Sequence, residues 1–329
     1  MKVNAARPAK PGAGARRVAV LKGGRSLERQ VSLRSGARVE DALGRLGHAV
    51  VSIDVGPDLI ARLRDAEPEL AFIAMHGRDG EDGTVQELLE ILGIPYTGSG
   101  VLACARSIDK VLAKHLMLEA GIPTPDFFAF NETAFRELGA ADALAAIEER
   151  LEFPIVVKPS AQGSALGIRF ARNAADVPAA LVAAFSYDSR VLLERHVAGR
   201  DLAVSILDDA PLPVVEAVPR DDEFYDFEAR YEIGRTDFVC PAELPPGVTE
   251  AAHELALRTY RLLGCSAFAR VDLMLDAGGE LTVLEANPIP GLTDTSLLPQ
   301  AAEAAGISFD GLIERILELA LARRPAAPA

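Results

Sequence analysis

Four polar side chains near the end of the chain have a spacing that could assemble a metal site. The segment 268–291, FARVDLMLDAGGELTVLEANPIPG, has the pattern of two strands joined by a tight turn. If Asp272 pairs with Glu285, then Arg270 pairs with Asn287. Because side chains alternate between the two faces of a strand, all four then lie on one face.

Two carboxylates, an amide oxygen and a guanidinium converge on this predicted face. Oxygen ligands of this kind suit Mg²⁺, which completes its octahedron with waters and phosphate oxygens. The alternative is a solvated sheet face with an ordinary cross-strand ion pair. The turn is expected at Ala277–Glu280. The residues expected to enter the core from the opposite face are Val271, Leu273, Leu284 and Ala286.

Strands alternate with helices from Arg17 to Gly93, which predicts a parallel α/β sheet. Ligands of such sheets lie beyond the carboxyl ends of the strands. Glu28 follows the first strand and His76 follows the third, in HGRDGEDG, so both are candidate site residues. Glu28 could instead be a helix-dipole residue in the first turn of a helix that Ser26 caps.

A loop rich in small residues follows the apolar strand that ends at Lys158, within PIVVKPSAQGSALGIRF. Such a loop offers backbone N–H donors and can close over phosphates as a flap. The alternative is an ordinary glycine-rich hairpin loop. Another segment, 224–231 or FYDFEARY, is polar and aromatic, which is more typical of an active-site loop than of a core strand.

Composition narrows the class of protein. The chain has 329 residues, 49% hydrophobic and 25% charged, with a formal net charge of −14, which argues against nucleic acid and anionic membranes as partners. Three widely spaced cysteines suggest no disulfide framework, so the cytoplasm is the expected compartment. The basic first 16 residues lack an apolar region and are expected to form a disordered tail.

The pattern of strands and helices predicts three folded regions, with a boundary near Asp109. The expected segments are a tail at 1–16, an N-terminal α/β domain at 17–109, a central domain with the flap at 110–199, a C-terminal domain with the metal site at 200–323, and a loose tail at 324–329.

Taken together, the motifs resemble those of the D-alanine–D-alanine ligase family, which has the ATP-grasp fold. The segments that carry the resemblance, which spans roughly 17–322, are GGRSLERQVSL, HGRDGEDGT, GIPYTGSG, SIDK, PIVVKPS, FYDFEARY, ARVDLML and LEANPIPGLT. The resemblance implies a three-domain α/β enzyme. ATP phosphorylates one D-alanine, and the amine of a second D-alanine attacks the acylphosphate, giving D-alanyl-D-alanine for peptidoglycan synthesis. It also implies two Mg²⁺ ions, with Mn²⁺ able to replace them, and a homodimer.

The resemblance also assigns roles by position. The implied metal ligands are Asp272, Glu285 and Asn287. The implied catalytic residues are Glu28, Ser164, Tyr231, Arg270 and Gly291, of which Arg270 and the Gly291 N–H stabilise the oxyanion. The implied substrate contacts are Glu28 and His76 for the first D-alanine and Ser296 and Leu297 for the second. The implied ATP-binding residues are Lys110, Lys158, Glu194, Arg195, Val197, Asp201 and Arg230.

Some positions depart from the family's pattern. Arg230 and Arg195 stand where lysine is usual, and Asp201 stands where glutamate is usual. Arginine keeps the charge of lysine but not its geometry. The resemblance implies an amino acid rather than D-lactate as the second substrate, because relatives that form depsipeptides would have a different residue in place of Tyr231.

Three other functions remain open from the residues. A related ATP-grasp ligase could join other amino acids, for example D-alanine to D-serine. A nucleotide-binding module without turnover would be expected to lack the intact metal set. A nicotinamide-dependent dehydrogenase would use the Gly23–Gly24 loop and Asp54, although this loop is not a GxGxxG motif.

Overall fold

The computed structural model describes residues 15–219 and 236–323, and it arranges these two ranges in three β-sheets with flanking α-helices. None of the helices in these ranges is long and apolar enough to cross a bilayer. The predicted α/β class, with a parallel sheet in the N-terminal region, is confirmed.

The first sheet is parallel, and its strand order is β2-β1-β3. Its strands are β1 (Arg17–Lys22), β2 (Ala49–Asp54) and β3 (Leu70–Ile73), and the helices that follow them are α1 (Arg29–Arg45), α2 (Leu59–Ala66) and α3 (Thr84–Leu92). Glu28 lies beyond the carboxyl end of β1 and His76 lies beyond that of β3. Because the strands are parallel, both residues reach the same edge of the sheet.

Helix α1 begins two residues later than Ser26 would predict for an N-cap. Glu28 occupies the N-cap position without a side-chain capping bond. The Ser26 Oγ instead accepts the Glu28 N–H at 3.0 Å and donates to the His76 carbonyl at 2.8 Å. The serine therefore joins the two candidate site residues rather than capping the helix.

Two helices, α4 (Val101–Ile108) and α5 (Lys110–Glu119), connect the first sheet to the second. The Asp109 side chain caps α5 by accepting the N–H groups of Val111 and Leu112. This cap places Lys110 in the first turn of the helix.

The second sheet is antiparallel, with strand order β4-β7-β5-β6. Its elements are β4 (Phe127–Asn131), α6 (Glu132–Glu137), a 3₁₀ turn (Ala140–Ala143), α7 (Leu144–Leu151), β5 (Ile155–Pro159), β6 (Arg169–Ala171), a second 3₁₀ turn (Ala174–Asp176), α8 (Val177–Phe185) and β7 (Arg190–Arg195). The predicted order of strand, small-residue loop and strand is confirmed by β5 and β6.

The third sheet has the strand order β11-β10-β8-β12-β13, and β9 pairs with β8. Its elements are β8 (Gly199–Leu207), β9 (Ala210–Pro211), β10 (Val215–Pro219), β11 (Thr236–Val239), α9 (Val248–Leu263), β12 (Phe268–Asp276), β13 (Leu281–Asn287), α10 (Leu297–Ala304) and α11 (Phe309–Ala322). Strand β12 lies between β8 and β13, so its polar residues are held between two neighbouring strands.

The β12–β13 hairpin has both polar cross-strand pairs that the sequence predicts. Beyond them, a β-bulge shifts the register, so that Leu273 pairs with Val283 and not with Leu284. The predicted Leu273–Leu284 pairing is therefore wrong. Residues 277–280 connect the two strands, as predicted for the turn, and the Asp276 N–H donates to the Glu280 carbonyl at 3.1 Å. A bulge of this kind bends the strand beside the polar pairs.

The first and third sheets share one hydrophobic core, to which α10 and α11 contribute. Phe72, Phe268, Leu298 and Ile316 are completely buried in it. The second sheet has a separate core. The N-terminal sheet and the hairpin are therefore packed together. The loop between β5 and β6 belongs to the second sheet, which has its own core.

Candidate active site

A cleft of about 410 Å³, counting the part open to solvent, lies between the N-terminal loops, the β5–β6 loop and the β12–β13 hairpin. We call the β5–β6 loop, residues 160–168, the flap. The charged and polar side chains that line the cleft include Glu81, Lys110, Ser164, Arg270, Glu285 and Asn287. Five of these six residues were predicted from the sequence, so three distant segments meet at one site.

Glu28 contacts the flap directly. Its side chain is only 3% exposed, and its Oε1 accepts a hydrogen bond from the Ser164 hydroxyl. A Cβ added at Gly163 would lie 2.8 Å from the Glu28 Oε2, and one added at Gly77 would lie 2.2 Å from it. Both positions therefore need glycine, because the carboxylate fills the space that a side chain would occupy.

The electrostatic environment of Glu28 favours the uptake of a cation. Burial, together with the nearby charge of Glu81, raises the pKa of Glu28 from 4.5 to about 7. Within the described part of the chain, its buried Oε2 has no hydrogen-bond partner. A buried acceptor of this kind is costly unless it is paired, so a ligand with an N–H donor or a positive charge fits here.

His76 is 3% exposed and is held through both ring nitrogens. Its Nδ1 lies 3.1 Å from the Ile289 carbonyl oxygen and 3.4 Å from the Glu81 Oε1, and its Nε2 lies 2.9 Å from the Ser35 Oγ. Since both neighbours of Nδ1 are acceptors, we assign the proton of the neutral ring to Nδ1. The ring thus connects the N-terminal sheet to the segment after β13.

The polar face of the hairpin carries a close ion pair. Arg270 donates from Nε and Nη2 to the two oxygens of Asp272, at 2.6 and 2.8 Å. The Asn287 Oδ1 accepts the Ile289 N–H at 2.9 Å, which fixes the orientation of the amide. Both carboxylate oxygens of Asp272 and the amide oxygen are therefore held on this face of β12 and β13.

Lys110 links the same hairpin to the flap. Its Nζ lies 3.1 Å from the Glu285 Oε2 and donates to the Gln162 carbonyl at 2.6 Å. The lysine is 8% exposed, so its charge acts in a largely desolvated setting. A phosphate group in the cleft would meet this ammonium beside a carboxylate that can bind a metal.

The donor set of the hairpin fits Mg²⁺. Asp272, Glu285 and Asn287 offer two carboxylates and one amide oxygen, the ligand type that Mg²⁺ prefers. The described residues contain no group of three or more His, Cys, Asp and Glu side chains arranged around one point. Substrate oxygens or waters would therefore have to complete the coordination of an ion bound here.

A second buried charge cluster lies beneath the flap. Glu194, which is 2% exposed, contacts the Lys158 Nζ through Oε1 and the Lys114 Nζ through Oε2, the latter at 2.7 Å. Burial raises the pKa of Glu194, but the two ammonium groups outweigh it and the net pKa is lowered. Burial lowers the pKa of Lys114, which also donates to the Thr124 hydroxyl at 2.6 Å. The cluster has one positive charge in excess.

The other residues predicted to bind nucleotide lie near the end of β7 and in β8, and they are not among the residues that line the cleft. The exposed Arg195 lies 3.8 Å from Asp126. Val197 is half-buried between the two strands, and Asp201 is half-buried on β8. Two further predicted residues, Arg230 and Tyr231, lie with the 224–231 loop outside the described residues.

The segment after β13 contains the remaining predicted residues. A Cβ at Gly291 would lie 2.6 Å from the Ser296 Oγ, so the backbone and this hydroxyl approach closely. The Ser296 Oγ accepts the Thr293 N–H at 2.9 Å. Leu297 is 6% exposed, and its side chain belongs to the core shared by the first and third sheets. Leu297 can therefore present only its backbone to a substrate.

Three buried polar residues near the cleft lie outside the predicted set. These are Ser35, Glu81 and Lys114. Lys114 follows Lys110 by four residues and Ser35 follows Glu28 by seven, spacings that place each pair on one face of a helix. Helical periodicity around the predicted residues could have indicated both positions.

Comparison with known proteins places the chain among ligases. Residues 116–318 match the family model described as the D-ala D-ala ligase C-terminus, and residues 59–99 match the one described as its N-terminus. A D-alanine–D-alanine ligase of Moorella thermoacetica is 44% identical over 93% of this chain and 99% of its own length. One of Desulforudis audaxviator is 46% identical over 94% and 99%.

Solved structures give the same assignment. The D-alanine–D-alanine ligase of Bacillus anthracis complexed with ATP has a TM-score of 0.80 and 34% identity, covering 94% of this chain and 99% of that one. The VanG D-Ala:D-Ser ligase of Enterococcus faecalis has a TM-score of 0.78 and 26% identity, covering 93% and 99%. Matching family models, high coverage and the shared fold lead to one conclusion: the chain belongs to the D-alanine–D-alanine ligase family.

Proposed function

We propose that the protein joins two D-alanine molecules to form D-alanyl-D-alanine, with ATP converted to ADP and phosphate. The observation that carries the proposal is the hydrogen bond from Ser164 on the flap to the buried Glu28, two residues 136 positions apart in the chain. This contact brings the flap and the N-terminal domain over the cleft lined by Lys110 and the hairpin. The relatives named as D-alanine–D-alanine ligases support the same reaction.

Glu28 is proposed to hold the ammonium group of the first D-alanine. Its Oε2 is buried without a partner in the described residues, and its pKa of about 7 reports a carboxylate short of positive charge. An ammonium ion supplies both the charge and the donor, which would restore the ordinary preference of the carboxyl for ionisation. Closure of Ser164 over Glu28 then shields the substrate from water. Tyr231 is proposed to complete this contact.

Lys110 and Lys158 are proposed to neutralise the phosphates of ATP. Both are 8% exposed, so each charge is little screened by solvent. Asp272, Glu285 and Asn287 are proposed to hold Mg²⁺. When bound, the metal would supply positive charge that neutralises the charge developing during phosphoryl transfer. Two ions are proposed, with Mn²⁺ as a substitute.

The proposed reaction has two chemical steps. A carboxylate oxygen of the first D-alanine attacks the γ-phosphorus, and the bond between that phosphorus and the oxygen of ADP breaks. The neutral amine of the second D-alanine then attacks the acyl carbon, loses a proton, and expels phosphate as the C–O bond breaks. Arg270 and the Gly291 N–H are proposed to stabilise the oxyanion that forms at the carbonyl.

The remaining proposed roles concern nucleotide and second-substrate binding. Glu194, Arg195, Val197, Asp201 and Arg230 are proposed to contact the adenosine part of ATP. Ser296 and the backbone of Leu297 are proposed to hold the carboxylate of the second D-alanine. The enzyme is proposed to act as a homodimer in the cytoplasm and to supply peptidoglycan synthesis. The relatives named as D-alanine–D-alanine ligases, 44% and 46% identical over 93% and 94% of the chain, support D-alanine as the acceptor.

The test is ATP-dependent phosphate release with D-alanine by the wild type and by Asp272→Asn. The substitution removes the charge of a proposed metal ligand, so we expect phosphate release to be abolished while circular dichroism stays unchanged. Asp276→Asn is the matched control. Asp276 lies on the same strand but accepts N–H groups of Gly278 and Glu280 in the turn. Unchanged turnover by Asp272→Asn would contradict the proposal.

A further inference from the structure

The backbone on both sides of Gly291 is held by side chains of the N-terminal domain. The Leu292 N–H donates to the Ser35 Oγ at 3.2 Å, and the Leu292 carbonyl accepts from the Arg38 Nη1 at 2.7 Å. On the other side, the Ile289 carbonyl oxygen lies 3.1 Å from the His76 Nδ1. The segment Ile289–Leu292 is thus fixed at its first and last residues.

Ser35 joins these contacts into one network. It is completely buried on α1, and its Oγ contacts both the His76 Nε2, at 2.9 Å, and the Leu292 N–H. With the proton of the ring on Nδ1, Nε2 is an acceptor, so the Ser35 hydroxyl donates to it. The lone pairs of the same oxygen remain available for Leu292. Every donor in this network therefore has an acceptor, and its members support one another.

We propose that Ser35 is a positioning residue that couples His76 to the Ile289–Leu292 segment and so aims the Gly291 N–H at the reacting carbonyl. The inference rests on the proposed function, in which that N–H stabilises the oxyanion. It gives His76 a role through the protein in addition to its predicted contact with the first D-alanine. A backbone N–H stabilises an oxyanion only if it points at the oxygen and its position is correct to within a fraction of an ångström.

Arg38 supplies an independent hold on the same segment. Its guanidinium lies 4.0 Å from the centre of the Phe309 ring and 3.1 Å from the Asp294 Oδ1, so its position is fixed from two sides. Its side chain is 28% exposed, in contrast to Ser35. Arg38 follows Ser35 by three residues, which places both on one face of α1.

Steady-state kinetics of Ser35→Ala test the proposal. Because the oxyanion is absent from the bound substrates and develops only during amine attack, we expect kcat to fall about 10-fold to 100-fold, while KM for ATP stays within about twofold. The control is Thr259→Val, which removes a completely buried hydroxyl that donates to the Leu255 carbonyl within α9 at 2.9 Å. The control should retain kcat even if its melting temperature falls.

Arg38→Gln provides a second variant in case Ser35→Ala folds poorly. Because Arg38 holds the Leu292 carbonyl from a partly exposed site, we expect this variant to fold and to lower kcat about two- to fivefold. The double variant should lose less than the product of the two single losses, because both residues act on Leu292. Wild-type kcat in folded Ser35→Ala or in Arg38→Gln would overturn the proposal.

Phosphate release by the wild type distinguishes a failure of this inference from a failure of the proposed function. If the wild type releases no phosphate with D-alanine, the proposed function fails and the positioning role fails with it. If the wild type is active and both variants match it, only the role of Ser35 is wrong. A loss confined to the thermal stability of Ser35→Ala, with kcat per folded molecule unchanged, would show a purely structural role and would also overturn the inference.

Discussion

Replacing Glu28 by glutamine should stabilise the fold at alkaline pH even though it removes a residue proposed to bind substrate. The pKa of Glu28 is raised from 4.5 to about 7 in the folded protein, chiefly by burial and then by Glu81. Between these values the folded state holds a proton that the unfolded chain has lost, so stability falls as the pH rises through this window. Each pKa unit of difference between the folded and unfolded states corresponds to about 1.4 kcal/mol. Well above pH 7, the buried carboxylate therefore lowers the free energy of unfolding by about 3 kcal/mol.

Most of this cost should develop between pH 5 and pH 8, where linkage gives about 2.5 kcal/mol. Urea unfolding of the wild type and of Glu28→Gln at both pH values measures it directly. The variant should gain about 2.5 kcal/mol relative to the wild type on going from pH 5 to pH 8. The difference between the free energies of unfolding of the two proteins removes the contribution of the other titrating groups.

Asp310→Asn is the matched control for this experiment. Its carboxyl is exposed, and the hydrogen bond from Arg45 lowers its pKa from 3.8, so it is ionised in both states at pH 5 and at pH 8. The stability difference from the wild type should therefore not change between the two pH values. A pH-independent difference for Glu28→Gln as well would refute the raised pKa and the burial argument behind it.

Two further predictions concern the flap and the charge cluster beneath it. Gly163→Ala places a methyl group 2.8 Å from the Glu28 Oε2, so the flap should fail to close; we expect KM for D-alanine to rise at least about 10-fold with an unchanged circular dichroism spectrum. Lys114→Met leaves an oxygen of the buried Glu194 unpaired, and chemical denaturation should show a loss of about 3 kcal/mol.

Specific results would contradict the predictions for Gly163→Ala and Lys114→Met. Wild-type KM values in Gly163→Ala would mean that the flap does not need its contact with Glu28. For Lys114, the variant Lys114→Arg keeps the charge and should recover part of the stability lost in Lys114→Met. Equal stability of the methionine variant and the wild type would show that Glu194 is satisfied by Lys158 alone.

Local patterns in the sequence were sufficient to predict the elements that carry most of the cleft. Alternation of polar and apolar residues predicts the pairs Asp272–Glu285 and Arg270–Asn287, because a register slip would turn each polar residue into the core. The same pattern could not predict the bulge. Val283 and Leu284 are adjacent and both apolar, so either can pair with Leu273 without a penalty visible in the sequence.

Contacts between distant segments were harder to predict. The cluster of Lys114, Lys158 and Glu194 joins a helix to two strands, and nothing local to any of these residues reports the other two. For Ser26, a local preference predicts the wrong hydrogen-bond partner. Its residue type favours an N-cap, but the loop after β3 offers the His76 carbonyl as a partner, and this tertiary contact outweighs the local preference.

The central claim is tested most directly by ATP-dependent phosphate release from the wild-type protein with D-alanine, compared with L-alanine, D-serine and D-lactate, while the dipeptide is quantified in the same reaction. The proposed function predicts release with D-alanine alone, with one phosphate for each D-alanyl-D-alanine formed. No release with D-alanine alone, together with release when another amine is added, would contradict it.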